Sequence, residues 1–107
     1  MEFLGDAILS SIVSESLFLQ SRDQEEGELS LKRDAIISRS NLNKIAKRRF
    51  QNVLFHHKTK SISENMYGNF LEAIIGAVYL DKGLKLTKEV VKRLVLNGEE
   101  ATVKNQD

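Results

Sequence analysis

Four oxygen-bearing side chains stand in two closely spaced pairs, one at the start of the chain and one in its second half. Glu2 and Asp6 lie four residues apart and Asn69 and Glu72 three residues apart, each pair within an apolar segment. On a helix, either spacing places both side chains on one face. Carboxylates are seldom buried unless they are paired or bind a metal ion. We therefore predict that a cation meets Glu2 and Asp6.

The two pairs together favour divalent-metal chemistry. If their helices face each other, Glu2, Asp6 and Glu72 form a group of three carboxylates, and Asn69 adds an amide oxygen. Without a cation, the acids would raise one another's pKa values and destabilise the fold. Mg²⁺ or Mn²⁺ binds such oxygen ligands and can hydrolyse a phosphodiester. The alternative is an ordinary surface, because an isolated acid pair usually faces solvent and Glu2 would by itself favour a helix N-terminus.

Apolar periodicity predicts an all-α chain. The first helix runs from the start to about Gln20, and a polar loop follows at Arg22–Glu28. Four further helices are predicted at Leu29–Ser38, Arg39–Arg49, Ile62–Asp81 and Leu86–Leu96. Residues 51–60 have no helical period, so we predict a non-helical connection that its apolar residues pin to the core. We predict no strand, because this segment has no strand to pair with.

Three glycines lie inside predicted helices, close to the oxygen-bearing side chains: Gly5, Gly68 and Gly76. Glycine within a helix costs about 0.5–1 kcal/mol relative to alanine. We therefore predict that the helix backbones approach each other closely at these positions. Gly83 lies where the long helix should end, and it suits the position just after a helix C-terminus.

The composition excludes several classes of protein. The 107 residues include no cysteine, which excludes disulfides and thiolate metal sites. No apolar run approaches the ~20 residues that a membrane span needs, and the first residues lack the features of a secretory signal. We expect a soluble, cytoplasmic, helical domain at residues 1–98 and a flexible tail at residues 99–107.

The net charge of +1 conceals a basic middle between acidic flanks. Residues 1–31 hold seven acids and one base, whereas residues 32–62 hold nine bases and one acid. Such asymmetry suits a chain that binds a polyanion with one part and collects metal ions with another. A helix with a solvated basic face is the simpler alternative.

Three sequence motifs occur in order along the chain. They are EFLGDAIL at Glu2–Leu9, EGELSLKRDAIIS at Glu26–Ser38 and GNFLEAIIGAVYLDKG at Gly68–Gly83. Together they resemble the catalytic domain of the ribonuclease III family. The resemblance implies an all-helical homodimer that cuts double-stranded RNA with Mg²⁺, or with Mn²⁺ in its place. Such an activity would belong to RNA processing, for example the maturation of ribosomal RNA.

The resemblance also implies residue roles. Asp6 and Glu72 would be the catalytic acids, and the metal ligands would be Glu2, Asp6, Asn69 and Glu72. Phe3 matches an aromatic residue that packs into the partner subunit, with an ordinary core phenylalanine as the alternative.

Contacts with RNA would involve the backbone, because duplex RNA is recognised through its shape, phosphates and 2′-hydroxyls. Glu26 matches an acid that approaches RNA in some family members, although a solvated loop acid is an equal alternative. The basic residues expected at phosphates are Lys44, Lys47, Arg48, Arg49, Lys58 and Lys60.

Two departures from the family pattern leave other functions open. Asn69 stands where the family usually has an acid, and an amide oxygen binds Mg²⁺ less strongly than a carboxylate. The helices that precede the signature in family members and a C-terminal domain that binds double-stranded RNA are expected to be missing. The alternatives are therefore a non-catalytic RNA-binding or ribosome-associated relative, or an incomplete fragment of the enzyme.

Overall fold

The structure is a computed structural model that describes residues 1–56 and 63–96. Its helices are α1 (Glu2–Gln20), α2 (Glu26–Ile37), α3 (Arg39–His56), α4 (Glu64–Lys82) and α5 (Leu84–Val91), and a π-helical segment follows at Lys92–Leu96. The described residues contain no strand, so the expectation of an all-α fold is confirmed. None of the described helices combines the length and apolarity needed to cross a membrane.

Several helix ends form as the sequence predicts. Ser38 lies between α2 and α3, and its hydroxyl accepts a hydrogen bond from the backbone N–H of Asn41 at 3.2 Å. Gly83 follows α4 with a positive φ of 88°, a conformation that glycine adopts without a steric penalty. The same glycine precedes α5, where the Thr87 hydroxyl donates to the Gly83 carbonyl oxygen at 2.7 Å.

The C-terminal part of α3 corrects the sequence analysis. The sequence predicts a non-helical connection from residue 51, but α3 continues to His56. Neither proline nor glycine interrupts this stretch, and each residue added to an existing helix gains a backbone hydrogen bond. The remainder of that connection, which includes Lys58 and Lys60, lies outside the described residues, as does the tail at residues 99–107.

The core forms where α4 packs against α1 and α3. Its fully buried apolar side chains come from these three helices and from α5: Leu9, Val13, Leu42, Ala46, Leu71, Ile75 and Val91. Phe50 and Phe70 extend this packing with an edge-to-face contact, their ring centroids 5.3 Å apart. The core therefore fixes the angle at which α1 and α3 meet α4.

Helix α1 is buried on one side only, although its sequence is apolar nearly all round. Leu9, Ile12 and Val13 face the core, whereas Phe3 and Phe18 are exposed. Helices α2, α4 and α5 pack against α1, and they leave Phe3 and Phe18 uncovered. An apolar helix that its own chain covers on one side leaves a surface suited to another protein.

The predicted close approach of α1 and α4 is confirmed at two glycines. A Cβ atom on Gly5 would overlap the carbonyl oxygen of Glu72. A Cβ atom on Gly76 would lie 2.6 Å from the carbonyl oxygen of Met1 and 3.2 Å from the Gly5 nitrogen. The two backbones thus touch directly, and each glycine is required by the other helix.

We expect Gly5→Ala to lower the free energy of unfolding by at least about 2 kcal/mol, because the added methyl group would force the two backbones apart. Gly27→Ala is the matched control, since Gly27 lies within α2 and a methyl group added there would meet no heavy atom within 4 Å. That control should leave stability unchanged or raise it by up to about 1 kcal/mol. Urea unfolding followed by circular dichroism measures both, and equal effects would contradict the close approach.

Candidate active site

The crossing of α1 and α4 brings together acids from two of the sequence motifs. Asp6 directly follows Gly5, and Glu72 provides the carbonyl oxygen against which Gly5 packs. The carboxyl groups of Asp6 and Glu72 are close enough across this crossing for Asp6 to influence the pKa of Glu72. The structure therefore joins the two acids that the sequence predicts as catalytic residues.

Glu72 is buried, with 3% of its surface exposed. Burial raises its pKa above the ordinary value of 4.5, because a charged carboxylate loses hydration in the interior. The guanidinium of Arg39 opposes this shift, whereas the neighbouring Asp6 carboxyl adds to it. The pKa of Glu72 is thus raised by burial and by its acidic neighbour, and lowered by its basic neighbour.

Arg39, the first residue of α3, binds both polar side chains of the α4 pair. Its Nη1 donates to Asn69 Oδ1 at 2.9 Å, and its Nη2 donates to Glu72 Oε1 at 3.2 Å. The spacing of Asn69 and Glu72 on one face of α4 matches the planar fork of a guanidinium. The cation that meets the pair on α4 is therefore a side chain of the protein itself, whereas the sequence predicts a divalent metal ion for the combined group.

Asn43 holds the start of α3 against the start of α4. Its Oδ1 accepts a hydrogen bond from the backbone N–H of Gly68 at 2.9 Å, and its Nδ2 donates to Asn65 Oδ1 at 3.1 Å. Asn43 is buried, and a buried amide with partners on both sides fixes the position of each. No buried side-chain oxygen or nitrogen in the described part of the chain lacks a hydrogen-bond partner.

Arg39 and Asn43 are the site residues that the sequence analysis misses. They lie four residues apart, so both fall on the same face of α3, and Asn43 lies between the buried residues Leu42 and Ile45. A polar side chain on the face that carries the core is the signal that could have identified Asn43. Arg39 carries no such signal, because its side chain is exposed like an ordinary surface charge.

The structure does not assemble the predicted group of three carboxylates. Within residues 1–56 and 63–96, no group of three or more acidic or histidine side chains is arranged to hold a metal ion. Glu2, the first residue of α1, is exposed. The acids that do meet are Asp6 and Glu72, because they flank the contact between the two backbones.

The donor atoms at the crossing nevertheless fit a hard divalent cation. Asp6 and Glu72 offer carboxylate oxygens, and Asn69 offers the amide oxygen Oδ1. Mg²⁺ and Mn²⁺ prefer such ligands and keep several water molecules of their own. In this structure, the guanidinium of Arg39 contacts two of the three groups.

The other predicted site residues that the structure describes occupy the surface. Phe3 has 91% of its surface exposed, and Glu26 is exposed at the start of α2. On α3, Lys44, Lys47 and Arg48 line a shallow groove with Ser40 and Gln51. Arg49 is exposed too, and its Nη2 donates to the carbonyl oxygen of Arg93 at 3.2 Å.

Comparison with known proteins identifies the family. A family model described as ribonuclease-III-like matches residues 1–98 of the chain. The chain belongs to the ribonuclease-III-like family. Both helices that form the crossing, α1 and α4, lie within the matched residues of this ribonuclease-III-like chain.

The curated relatives are ribonucleases of much greater length. Ribonuclease 3 of Bacteroides thetaiotaomicron is 40% identical over 99 residues, which are 91% of this chain and 32% of the relative. Ribonuclease 3 of Bacteroides fragilis is 41% identical over 98 residues, which are 90% of this chain and 34% of the relative. This ribonuclease-III-like chain thus spans about a third of the length of these relatives.

Solved structures of a nuclease domain share the fold. The nuclease domain of ribonuclease III from Campylobacter jejuni superposes with a TM-score of 0.72 at 31% identity, covering 91% of this chain and 70% of that one. A second structure of the domain has a TM-score of 0.71 at 33% identity, over 87% of this chain and 69% of that one. It is described as flexible in a region involved in dimer formation.

The raised pKa of Glu72 predicts how stability depends on pH in a metal-free buffer. Between the ordinary pKa of 4.5 and the raised value, the folded chain holds a proton that the unfolded chain has released. As the pH rises from 4.5 through the raised pKa of Glu72, the wild type should therefore lose stability relative to Glu72→Gln. Below pH 4.5, the difference in free energy of unfolding between the two proteins should be constant. Urea unfolding of both proteins with EDTA, from about pH 4 to about pH 8, measures this.

Glu89→Gln is the matched control, because it also removes one carboxylate, but from an exposed position on α5. A difference between wild type and Glu72→Gln that stays flat, or that favours the wild type increasingly with pH, would contradict the assigned direction.

Proposed function

We propose that this chain is the catalytic part of a ribonuclease III-type endoribonuclease that hydrolyses double-stranded RNA. The observation that carries the proposal is the close approach of α1 and α4 at Gly5, which places Asp6 beside Glu72. These acids come from the two motifs that resemble the family's acidic motifs. Family membership and the ribonuclease names of the relatives support the proposal. The cytoplasm, where cellular RNA is processed, is the proposed location.

The proposed cofactor is Mg²⁺, with Mn²⁺ as a substitute. Asp6, Asn69 and Glu72 would hold the ion, and Glu2 is retained as a proposed further ligand one helical turn from Asp6. When bound, the ion would orient the scissile phosphate and lower the pKa of a water molecule for attack. Asn69 gives this set of ligands one negative charge fewer than an acid at the same position would. We therefore expect cleavage to need a high concentration of metal ion.

The chain's own residues would position the RNA and the acids. Burial of Glu72 under α1 keeps bulk water from one side of the carboxylate pair. Asn43 and Gly68 fix the spacing of α3 and α4, so the basic groove on α3 has a defined position relative to the acids. Lys44, Lys47 and Arg48 in that groove would attract RNA phosphates, with an affinity that falls as salt rises.

A homodimer is part of the proposal. Phe3 is exposed on the side of α1 that its own chain leaves uncovered. A phenylalanine in this position would normally be buried, and a second copy could cover it. The Campylobacter jejuni nuclease domain, which shares this fold, has a region involved in dimer formation. The resemblance assigns the corresponding aromatic residue to the partner contact.

A second candidate function is a non-catalytic RNA-binding relative. Two observations favour it: Asn69 replaces an acid, and Arg39 contacts Glu72 and Asn69 at the positions a metal would need. In that case, the ion pair would be a purely structural contact and the basic groove on α3 would be the functional surface.

We expect the purified chain to cleave a long RNA duplex with Mg²⁺ or with Mn²⁺, and Glu72→Gln to reduce the rate at least about a hundredfold, because the substitution removes a metal ligand. Asn69→Asp should raise the rate at limiting metal, since a carboxylate binds the ion more strongly than an amide. Gel analysis of the RNA products measures both effects.

A cleavage rate that does not depend on Glu72 would identify a contaminating nuclease. Duplex binding that persists in Glu72→Gln, without cleavage by any variant even at high Mn²⁺, would support the non-catalytic candidate. A cooperative thermal transition of the same sample would exclude an unfolded fragment as the cause.

We expect Phe3→Ala to weaken the homodimer at least about tenfold, because burial of a phenylalanine side chain contributes about 1.5–3 kcal/mol. Phe18→Ala is the matched control, since Phe18 is an exposed phenylalanine at the other end of α1. Analytical ultracentrifugation over a range of concentrations measures the dissociation constants. Equal effects of the two substitutions, or a wild type that is monomeric throughout, would contradict this interface.

A further inference from the structure

Arg39 contacts two side chains that the proposed function assigns to a divalent ion. Its guanidinium binds Asn69 Oδ1 at 2.9 Å and Glu72 Oε1 at 3.2 Å. We propose that Arg39 is an exchangeable internal counter-ion, which neutralises the acidic pair when no divalent ion is bound and is displaced when the ion binds. This inference rests on the proposed function, because it concerns the same metal site.

The arrangement around Arg39 is specific to a guanidinium. The planar fork reaches an amide oxygen and a carboxylate oxygen that lie one helical turn apart on α4. A Cβ atom on Gly68 would lie 2.8 Å from Arg39 Nη1, so the glycine leaves the space that this nitrogen needs. Asn43, one turn further along α3, bonds to the same glycine. Asn69 and Glu72 thus accept hydrogen bonds from the Arg39 guanidinium, and Gly68 leaves space for it.

Glu72 is the reason that an internal cation is required. Its side chain is only 4% exposed, and a buried carboxylate without a charged partner is costly. Asp6 increases the cost, since it adds a second acid beside the first. Arg39 supplies a full positive charge at this point, so the chain can fold before it meets a metal ion.

The position of Arg39 also allows its side chain to move away from Asn69 and Glu72. Its side chain is 46% exposed, and it lies at the first position of α3. A guanidinium on a long flexible stem can move into solvent without disturbing the helix that carries it. Displacement therefore requires a change of side-chain rotamer and no rearrangement of the core.

Arg39 and the divalent ion would compete for the same two side chains. Each would bind Asn69 Oδ1 and the Glu72 carboxylate, and the two positive charges would repel each other beside a carboxylate whose side chain is 4% exposed. Binding of the ion is therefore opposed by the contacts that Arg39 makes. The affinity for metal is set by competition as well as by the number of acids.

The affinity for Mn²⁺ alone, without RNA, tests this inference and is measured by isothermal titration calorimetry. Arg39→Gln should lower the dissociation constant for Mn²⁺ about tenfold or more, because the charged hydrogen bonds of Arg39 no longer compete. Arg33→Gln is the matched control: it removes the same charge from α2, where Arg33 pairs with the exposed Asp34. That control should bind Mn²⁺ with the affinity of the wild type.

Thermal unfolding provides the second measurement. In EDTA, Arg39→Gln should unfold at a lower temperature than the wild type, since Glu72 loses its partner. Mn²⁺ should then raise the unfolding temperature more in Arg39→Gln than in the wild type, because tighter ligand binding stabilises the folded state more. If Arg39→Gln does not fold, Arg39→Lys keeps the charge but loses the fork, and its Mn²⁺ affinity should exceed that of the wild type.

Three outcomes would overturn the inference. An unchanged Mn²⁺ affinity in both Arg39 variants would mean that Arg39 does not compete with the ion. A weaker affinity would mean that Arg39 supports the metal ligands. Absence of Mn²⁺ binding in the wild type and in every variant would mean that no ion binds at this site to displace Arg39. RNA cleavage distinguishes failure of this inference from failure of the proposed function. If cleavage depends on Glu72 but the Arg39 variants bind Mn²⁺ with unchanged affinity, the nuclease function is supported and the role of Arg39 as a counter-ion is rejected.

Discussion

The direct contact between the backbones of α1 and α4 determines the geometry of the site. At Gly5 and Gly76, each helix occupies the space that a side chain of the other would need. Asp6 follows the first glycine, and Glu72 lies one turn before the second. The separation of the two carboxyl groups is therefore fixed by backbone packing, which varies much less than side-chain rotamers do. Any residue larger than glycine at the crossing would separate the acids along with the helices.

This packing creates an electrostatic cost that a third helix offsets. Glu72 is buried beside Asp6, so its pKa is raised and its charged form is destabilised. Arg39 from α3 brings the opposite charge, and Asn43 ties α3 to the start of α4. The acids that suit a metal ion thus reduce stability, and the contacts around α3 limit the loss. Such a conflict between stability and activity is common where charged groups are gathered for chemistry.

The sequence predicts the parts of this site that depend on local patterns. Apolar periodicity identifies α1 and α4, and glycines inside these helices indicate the close approach that Gly5 and Gly76 confirm. Contacts between distant residues are not visible in this way. Arg39 is separated by 33 residues from Glu72, and an arginine at a helix start has the pattern of an ordinary surface charge. The continuation of α3 to His56 escapes sequence-based prediction because clustered apolar residues hide the helical period.

The first turn of α1 links the acids to the exposed aromatic side chain. Phe3 and Asp6 lie three residues apart, so they belong to the same turn, together with Glu2. The first N–H groups of a helix lack partners within the helix, and such a turn is easily frayed. A second copy that covers Phe3 would hold this turn in place, and with it the position of Glu2. In the proposed enzyme, dimer formation and the ordering of the third acid are therefore coupled through a single helical turn.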